Sequence, residues 1–226
     1  MTAEAMHRAG AGIDTAFDGP ATLACRRSRA KRVVDIVGSL LLLLVLAPVW
    51  AAIAVLLRLV DRGPVLFRWD LVGMDGRRIR SYKFRTMVPE AEALERQLRA
   101  SGANEMRSVY FKMRDDPRVT PIGRVLRKYS LDEIPSLWSV LVGDLSLVGP
   151  RPVRVTELQY LQPWHRQRFA VKPGLTSPWV LNGKNDVRDF DAIAASDLAY
   201  IRHWSLAGDL RLLLQTVRYM VSGRNY

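Results

Sequence analysis

Between residues 36 and 57 the chain carries no charged side chain, and this run limits its fold more than any other feature. By length alone it qualifies as a helix crossing a hydrocarbon core of ~30 Å. Pro48, however, stands near its middle, where it removes a helical hydrogen bond and crowds the preceding turn. Divided there, each half would reach only about 15 to 20 Å at about 1.5 Å per residue. Both flanks are basic: Arg26, Arg27, Arg29, Lys31 and Arg32 precede the run, and Arg58, Arg62, Arg68, Arg77, Arg78 and Arg80 follow it. Cations at both ends suit a segment that enters and leaves by one face. Three readings stay open: a re-entrant hairpin broken at Pro48, a kinked spanning helix, and a signal peptide with Ala52-Ile53-Ala54 as its cleavage site. The long leader before the basic cluster, and the continuation of the run to Leu57, weigh against the third.

A formal charge of +12 and a pI near 10.4 over 226 residues require an anionic partner: nucleic acid, an anionic leaflet or a phosphorylated substrate. A membrane-tethered nucleic-acid-binding module would need a binding motif or an aromatic-basic platform, and the sequence has neither. The single Cys25 rules out an internal disulfide, and His7, His165 and His203 lie too far apart for a transition-metal site by spacing. The expected organisation is a mobile basic leader over 1–30, a membrane anchor over 31–60 and a catalytic domain over 61–226. The expected fold class is α+β, mostly helical, with a small β-hairpin and interfacial amphipathic helices.

Residues 65–69 and 79–87 read as two strands joined across Asp75-Gly76. Strand alternation then puts Lys83 and Arg85 on one face and Phe84 on the other. Pro89 opens a helix to about residue 100 that reads as a surface arm, and residues 122–128 form a short helix carrying Arg124, Arg127 and Lys128. Leu137-Trp138-Ser139-Val140-Leu141-Val142 is an apolar helix stopped at Gly143-Asp144. Pro150 and Pro152 stiffen the backbone around Arg151, making it a candidate phosphate or carboxylate ligand. Residues 153–170 read as one amphipathic helix anchored by Trp164 and Phe169, and residues 206–221 as an ordinary packing helix.

The stretch Arg127-Lys128-Tyr129-Ser130-Leu131-Asp132-Glu133-Ile134-Pro135 is where chemistry is expected. Its bland reading is a capping box, with Ser130 capping a helix and Glu133 reaching back to its amide. Pro135 complicates that reading, since its missing N–H is one the helix would use. The chemical reading is a carboxylate pair beside cations that favour its ionised, nucleophilic form. Adjacent carboxylates also suit magnesium, which takes one or two of them together with phosphate oxygens. Phosphoryl transfer at a membrane face follows, with an aspartyl-phosphate intermediate as one route.

The ordered blocks Lys31-Arg32-Val33-Val34-Asp35-Ile36, Gly63-Pro64-Val65, Tyr82-Lys83-Phe84-Arg85-Thr86-Met87, Asp116-Pro117-Arg118-Val119-Thr120, Ser130-Leu131-Asp132-Glu133-Ile134-Pro135, Gly143-Asp144-Leu145-Ser146-Leu147-Val148-Gly149-Pro150-Arg151-Pro152 and Val171-Lys172-Pro173-Gly174-Leu175-Thr176 carry a resemblance. From residue 31 onward the chain resembles the bacterial polyprenyl-phosphate phosphoglycosyl transferases, or bacterial sugar transferases. The resemblance implies a monotopic enzyme of the bacterial inner membrane, with its catalytic domain facing the cytoplasm and a helix-break-helix anchor at Pro48. It implies transfer of a sugar phosphate from a UDP-sugar to undecaprenyl phosphate, releasing UMP, with Mg2+ as cofactor. Asp132 would be the nucleophile and Glu133 its partner in attack and in metal binding. Arg127 would bind phosphate, with Lys83, Arg85 and Arg151 as further phosphate or substrate contacts.

Gly183-Lys184-Asn185-Asp186, His203-Trp204-Ser205-Leu206 and the C-terminal stretch look most like the hexose-phosphate-transferring, exopolysaccharide-initiating members, so glucose or galactose phosphate is the expected cargo. The chain looks like a minimal catalytic unit. Inner-membrane lipid is an expected partner, nucleic acid is not, and a homodimer is left open. A catalytically idle scaffold is the remaining rival, opposed by the intact Asp132-Glu133 pair. Departures from the family pattern are Ala47-Pro48 at the anchor break, Ser136 in place of a common glutamine, and Ser177-Pro178-Trp179 after Thr176.

Overall fold

The computed structural model describes residues 19–61, 63–105, 109–111, 113, 115–181 and 189–221. Expectations for residues 1–18 and for Gly183-Lys184-Asn185-Asp186 lie outside the described residues. The architecture is α+β and mostly helical, with a long apolar helix near the N-terminus and two small sheets.

Part of the stretch expected to be a mobile leader is folded. Helix α1 (Pro20–Arg27) starts with proline in its first turn, where the missing N–H has no partner to lose, and buries Thr22 and Cys25. Arg26 donates to both carboxylate oxygens of Asp75, at 2.8 and 3.0 Å, and to the Ala170 carbonyl.

Helix α2 (Arg29–Asp61) runs for 33 residues and stays helical through Pro48. The expected break in secondary structure is therefore absent. One proline removes one hydrogen bond, and the leucine- and alanine-rich flanks are good enough helix formers to carry the helix past it. Only 11% of its most apolar window is buried, so most of its apolar surface faces outward, including Leu44, Val45 and Leu59. Its inner side docks at both ends. Near the start, Lys31 Nζ donates to Asp209 (2.6 Å) and the Val148 carbonyl, Arg32 to the Val140 and Leu141 carbonyls, and Asp35 accepts from Ser146 Oγ and Leu147 N. Toward the other end, Ile53 and Leu57 enter the main core, and Trp50 lies 5.9 Å from the ring of Phe84.

The predicted hairpin is present as β1 (Leu66–Val72) and β2 (Arg78–Phe84), with Leu66 opposite Phe84 and Val72 opposite Arg78. Asp75 and Gly76 both take positive φ, 58° and 74°, as a turn matching strand twist requires. The second strand ends at Phe84, short of the expected Met87, which makes only an isolated bridge to Val119. Helices α3 (Ala91–Ala100), α4 (Pro121–Lys128) and α5 (Leu137–Val142) follow, with Gly143 at φ 99° ending α5. Strand β3 (Ser146–Val148) pairs in parallel with β5 (Gly174–Thr176), and β4 (Val153–Arg154) adds to the free edge of β1.

Two expectations fail here. Residues 153–170 do not form one amphipathic helix: β4 leads into two 3-10 turns, Val155–Tyr160 and Pro163–Ala170. Pro163 interrupts any continuous helix, and Phe169 is packed in the second core with Val72, Tyr110, Val153 and Phe190. After α6 (Pro178–Leu181) and α7 (Phe190–Arg202) comes α8 (Leu206–Val221), which is not an ordinary packing helix. Leu210, Leu214 and Val217 are exposed at 45%, 70% and 58%, whereas Asp209 is buried.

Candidate active site

The carboxylate pair lies on the 3-10 turn Leu131–Ser136, and the local sequence explains its shape. Ser130 takes a left-handed conformation (φ 53°), reversing the chain as it leaves α4. Its side chain caps nothing, so the capping box does not form. Pro135 has no N–H to give a regular α-helix, and the turn winds with three residues per revolution. Neighbouring residues then diverge by about 120°. Asp132 is buried, whereas Glu133 is only half-buried. The far end of the turn is fixed to β2: Ser136 Oγ donates to the Tyr82 carbonyl at 2.7 Å, and Ser139 Oγ to Ser81 Oγ at 3.0 Å. Ser136 is thus fully buried and holds the turn that carries Asp132 on the sheet.

Lys83 reaches the same place from β2. Its Nζ lies 4.6 Å from the Trp69 ring centroid and 5.8 Å from that of Phe67, two residues of β1 on the same sheet face. The side chain is half-buried, and its ammonium group is partly desolvated. That desolvation pulls its pKa down to about 8; Asp132 and Glu133 hold it up, while Arg127 and Arg154 push it further down. Lys83, Asp132, Glu133, Arg127 and Arg154 therefore share one electrostatic field.

Arg127 stands in the last turn of α4, with Nε donating to Thr86 Oγ1 at 3.0 Å. Helix α4 is set there by three features: Thr120 Oγ1 caps the Gly123 amide at 3.0 Å, Thr120 N donates to the Thr86 carbonyl, and Gly123 lies so close to the Thr86 backbone that a Cβ would collide with it. Glycine is needed here for close approach.

The structure does not gather every predicted contact. Arg85 lies beyond the end of β2, its amide donating to the Val65 carbonyl and its guanidinium folded over Gly63, where a Cβ would strike Nη1. Arg151 is engaged in the second core: its guanidinium lies 4.2 Å from the Trp179 ring centroid and 4.7 Å from that of Tyr110, and its amide donates to Asp197. Arg168 in turn donates to Asp197 and to the Arg151 carbonyl. Pro150 and Pro152 do stiffen the backbone there, but they present Arg151 to an aromatic clamp.

Sequence reasoning missed Arg154, Glu95, Thr86 and Trp69. Arg154 Nε donates to Glu157 at 2.8 Å and Nη2 to Glu95 at 3.1 Å. Burial opposes its charge, but Glu157 and Glu95 outweigh that and raise its pKa. Glu95, from the helix expected to be a surface arm, also accepts from Arg99 and Arg118, and Arg118 is paired with Asp116. Burial alone would raise the pKa of Glu95; three arginines bring it down to about 2. The glutamate was legible only as a favourable charge at the start of a helix. Thr86 stood in a quoted block without a role, and Trp69 could have been found by cross-strand placement beside Lys83.

The arrangement is a buried carboxylate and a half-buried acid in the field of Lys83 and neighbouring arginines, suited to attack on a phosphorus atom. Among the described residues no cluster of three or more His, Cys, Asp or Glu side chains forms a metal cage. Asp132 and Glu133 are carboxylates, the donor type that magnesium takes one or two at a time alongside water and phosphate oxygens.

A sequence model described as "Bacterial sugar transferase" matches residues 26–223. The chain is 40% identical over 194 residues to "Galactosyl transferase CpsE" of Streptococcus agalactiae, an alignment covering 86% of this chain and 42% of that protein. It is 37% identical over 206 residues to "Undecaprenyl-phosphate galactose phosphotransferase" of Salmonella typhimurium, covering 88% and 42%. With "Exopolysaccharide production protein ExoY" of Rhizobium meliloti the identity is 37% over 190 residues, covering 83% and 84%. The chain thus spans about two fifths of the length of the first two relatives and most of the third.

Proposed function

Since the chain belongs to the bacterial sugar transferase family, we propose that it moves a hexose-1-phosphate, of glucose or galactose, from a UDP-sugar to undecaprenyl phosphate. The observation that carries this is the field that Lys83 of β2 and Arg127 of α4 share with Asp132 and Glu133 on the Leu131–Ser136 turn. A carboxylate oxygen of Asp132 attacks the phosphorus that bears the sugar; the bond to the UMP oxygen breaks, and UMP leaves with that electron pair. The lipid phosphate oxygen then attacks the same phosphorus, Asp132 is freed, and sugar-diphosphoundecaprenol is the product. Lys83 and Arg127 hold the phosphate charge, and the fixed turn aims Asp132, so that much of the catalysis is positioning and electrostatics. Asp132 and Glu133 would hold magnesium, which when bound neutralises phosphate charge.

The membrane part of this reading is a monotopic anchor in the cytoplasmic leaflet of the inner membrane. What supports it is that α2 exposes apolar surface along its length while both of its ends dock on the same domain. A straight crossing would carry those ends to opposite sides. A homodimer is compatible with this placement.

The test is UMP release over a panel of UDP-sugars with undecaprenyl phosphate and magnesium. Turnover is expected with UDP-glucose or UDP-galactose and is abolished by Asp132→Ala. Normal turnover by Asp132→Ala would overturn the mechanism.

A further inference from the structure

Strand β4 brings one more cation to the sheet face that carries Lys83. Leu71 of β1 lies opposite Ile79 of β2 on one side and opposite Arg154 of β4 on the other, while Phe67 lies opposite Lys83. Paired residues share a face and every second residue returns to it, so Lys83, Phe67, Trp69, Leu71 and Arg154 stand on one side of the sheet. The charge of Arg154 is felt at Lys83 Nζ together with those of Asp132, Glu133 and Arg127.

Two acids hold this arginine. Glu157 accepts from its backbone amide and from its Nε, both at 2.8 Å, and Glu95 faces its terminal nitrogens, 3.1 Å from Nη2 and 3.5 Å from Nη1. Glu95 is itself fixed by Arg118 at 2.6 Å and by Arg99 at 3.0 Å. The acids do not cancel the charge around them: Arg99, Arg118, Arg127 and Arg154 outnumber Glu95, Asp116 and Glu157. A guanidinium also has more N–H groups than these contacts use, so that each terminal nitrogen of Arg154 keeps one to give, and 32% of the side chain is exposed. A fork clamped at its stem loses little freedom when a further acceptor arrives, and its planar edge suits the oxygens of a phosphate. Attack by one anion on another makes each such fixed cation count.

We propose that Arg154 is a further phosphate ligand of this site, taking a substrate phosphate oxygen on the N–H groups that Glu95 and Glu157 leave free. This rests on the phosphoryl-transfer reading of the Asp132 turn given above. Two phosphate sources meet there, the diphosphate of the UDP-sugar and the phosphate of the lipid, and a guanidinium serves either by the same chemistry.

The experiment uses the full chain in detergent micelles, below its melting temperature, as wild type, Arg154→Gln, Arg154→Lys and Arg99→Gln. Arg99 pairs with the same Glu95 but packs on the rings of Phe111 and Tyr160, so its variant loosens the cluster without touching the proposed ligand. UMP release gives kcat and KM for the UDP-hexose and for undecaprenyl phosphate, and inhibition by added UMP reads phosphate affinity without the chemical step. Arg154→Gln is expected to raise one KM by about ten- to a hundredfold, and Arg154→Lys, which keeps the charge in the cluster but loses the fork, to recover part of that rise. A rise for the UDP-hexose with weaker UMP inhibition places Arg154 on the donor, and a rise for the lipid alone places it on the lipid phosphate; either upholds the proposal. Unchanged KM values for both substrates in Arg154→Gln and Arg154→Lys, or an equal rise in Arg99→Gln, would reduce Arg154 to a structural tie and overturn it. A wild type that releases no UMP from any UDP-hexose would instead overturn the reading of the site on which the proposal stands.

Discussion

Lys83 offers the most direct reading of the site's electrostatics, because its charge is set to change within an assayable range. Desolvation against Trp69 lowers its pKa from the usual lysine value of 10.5 to about 8. If the ammonium holds substrate phosphate, the enzyme works only with Lys83 protonated. Roughly nine tenths of it is charged at pH 7 and roughly a tenth at pH 9. The kcat/KM for the UDP-sugar, which reports groups of the free enzyme, should therefore fall about tenfold between those values, with a midpoint near 8. The lipid phosphate completes its second ionisation near about pH 6, below this window. UMP release measured at constant ionic strength from pH 6.5 to 9.5 gives the profile. In Lys83→Arg the basic limb should vanish, since a guanidinium keeps its proton to above about pH 12. A flat wild-type profile from pH 7 to 9.5 refutes the argument, as does an active Lys83→Arg enzyme whose limb is unmoved.

Gly123→Ala places a methyl group into the Thr86 backbone, so α4 must shift; a loss of about 1 to 3 kcal/mol in denaturant melts is expected, with a raised KM as Arg127 moves from Thr86. Glu95→Gln removes the charge facing Arg99, Arg118 and Arg154 and should cost about 2 to 3 kcal/mol, whereas the exposed Glu92→Gln should change stability by less than about 0.5. Glu95 also sets an acid limb. Its pKa falls from 4.5 to about 2 on folding, so its stabilisation is complete above pH 4.5 and is lost as pH drops toward 2. About 3 kcal/mol should disappear over that interval in wild type and not in Glu95→Gln, as read by melts at stepped pH.

The parts of the fold written in local sequence were legible. Asp75-Gly76 announces its hairpin because only a few residue types accept two positive φ values in succession, and Gly143 marks the stop of α5 for the same reason. The carboxylate pair stood out because two acids beside two cations are unusual, but its setting did not: nothing local announces the left-handed Ser130, and the seat of the turn on β2 depends on Ser136 reaching across to Tyr82. Long-range pairings were illegible throughout. Nothing near Arg154 in sequence predicts Glu95, 59 positions away, and nothing near Asp209 predicts Lys31, 178 positions away. The α8 periodicity was legible, but the apolar stripe it picks out is divided, Leu213 packing on the core and Leu210, Leu214 and Val217 standing exposed, since only tertiary contacts reveal which part of a stripe is inward.

Those contacts also change what α2 is for. Ile53 and Leu57 share one core with Ile134 and Leu137, which bracket the end of the Asp132 turn and the start of α5. An anchor that only tethered the domain would leave that turn intact when altered. Leu57 is fully buried, so Leu57→Ala should cost about 2 to 5 kcal/mol through lost burial and a cavity beside the turn. Leu59, 71% exposed two positions later, faces outward, and Leu59→Ala should leave melting in micelles nearly unchanged. The decisive assay supplies a short-chain, water-soluble polyprenyl phosphate, so that membrane delivery no longer matters. Leu57→Ala should still lose turnover under those conditions, while Leu59→Ala keeps it. Equal turnover in both would reduce α2 to a tether and refute a structural role in aiming Asp132.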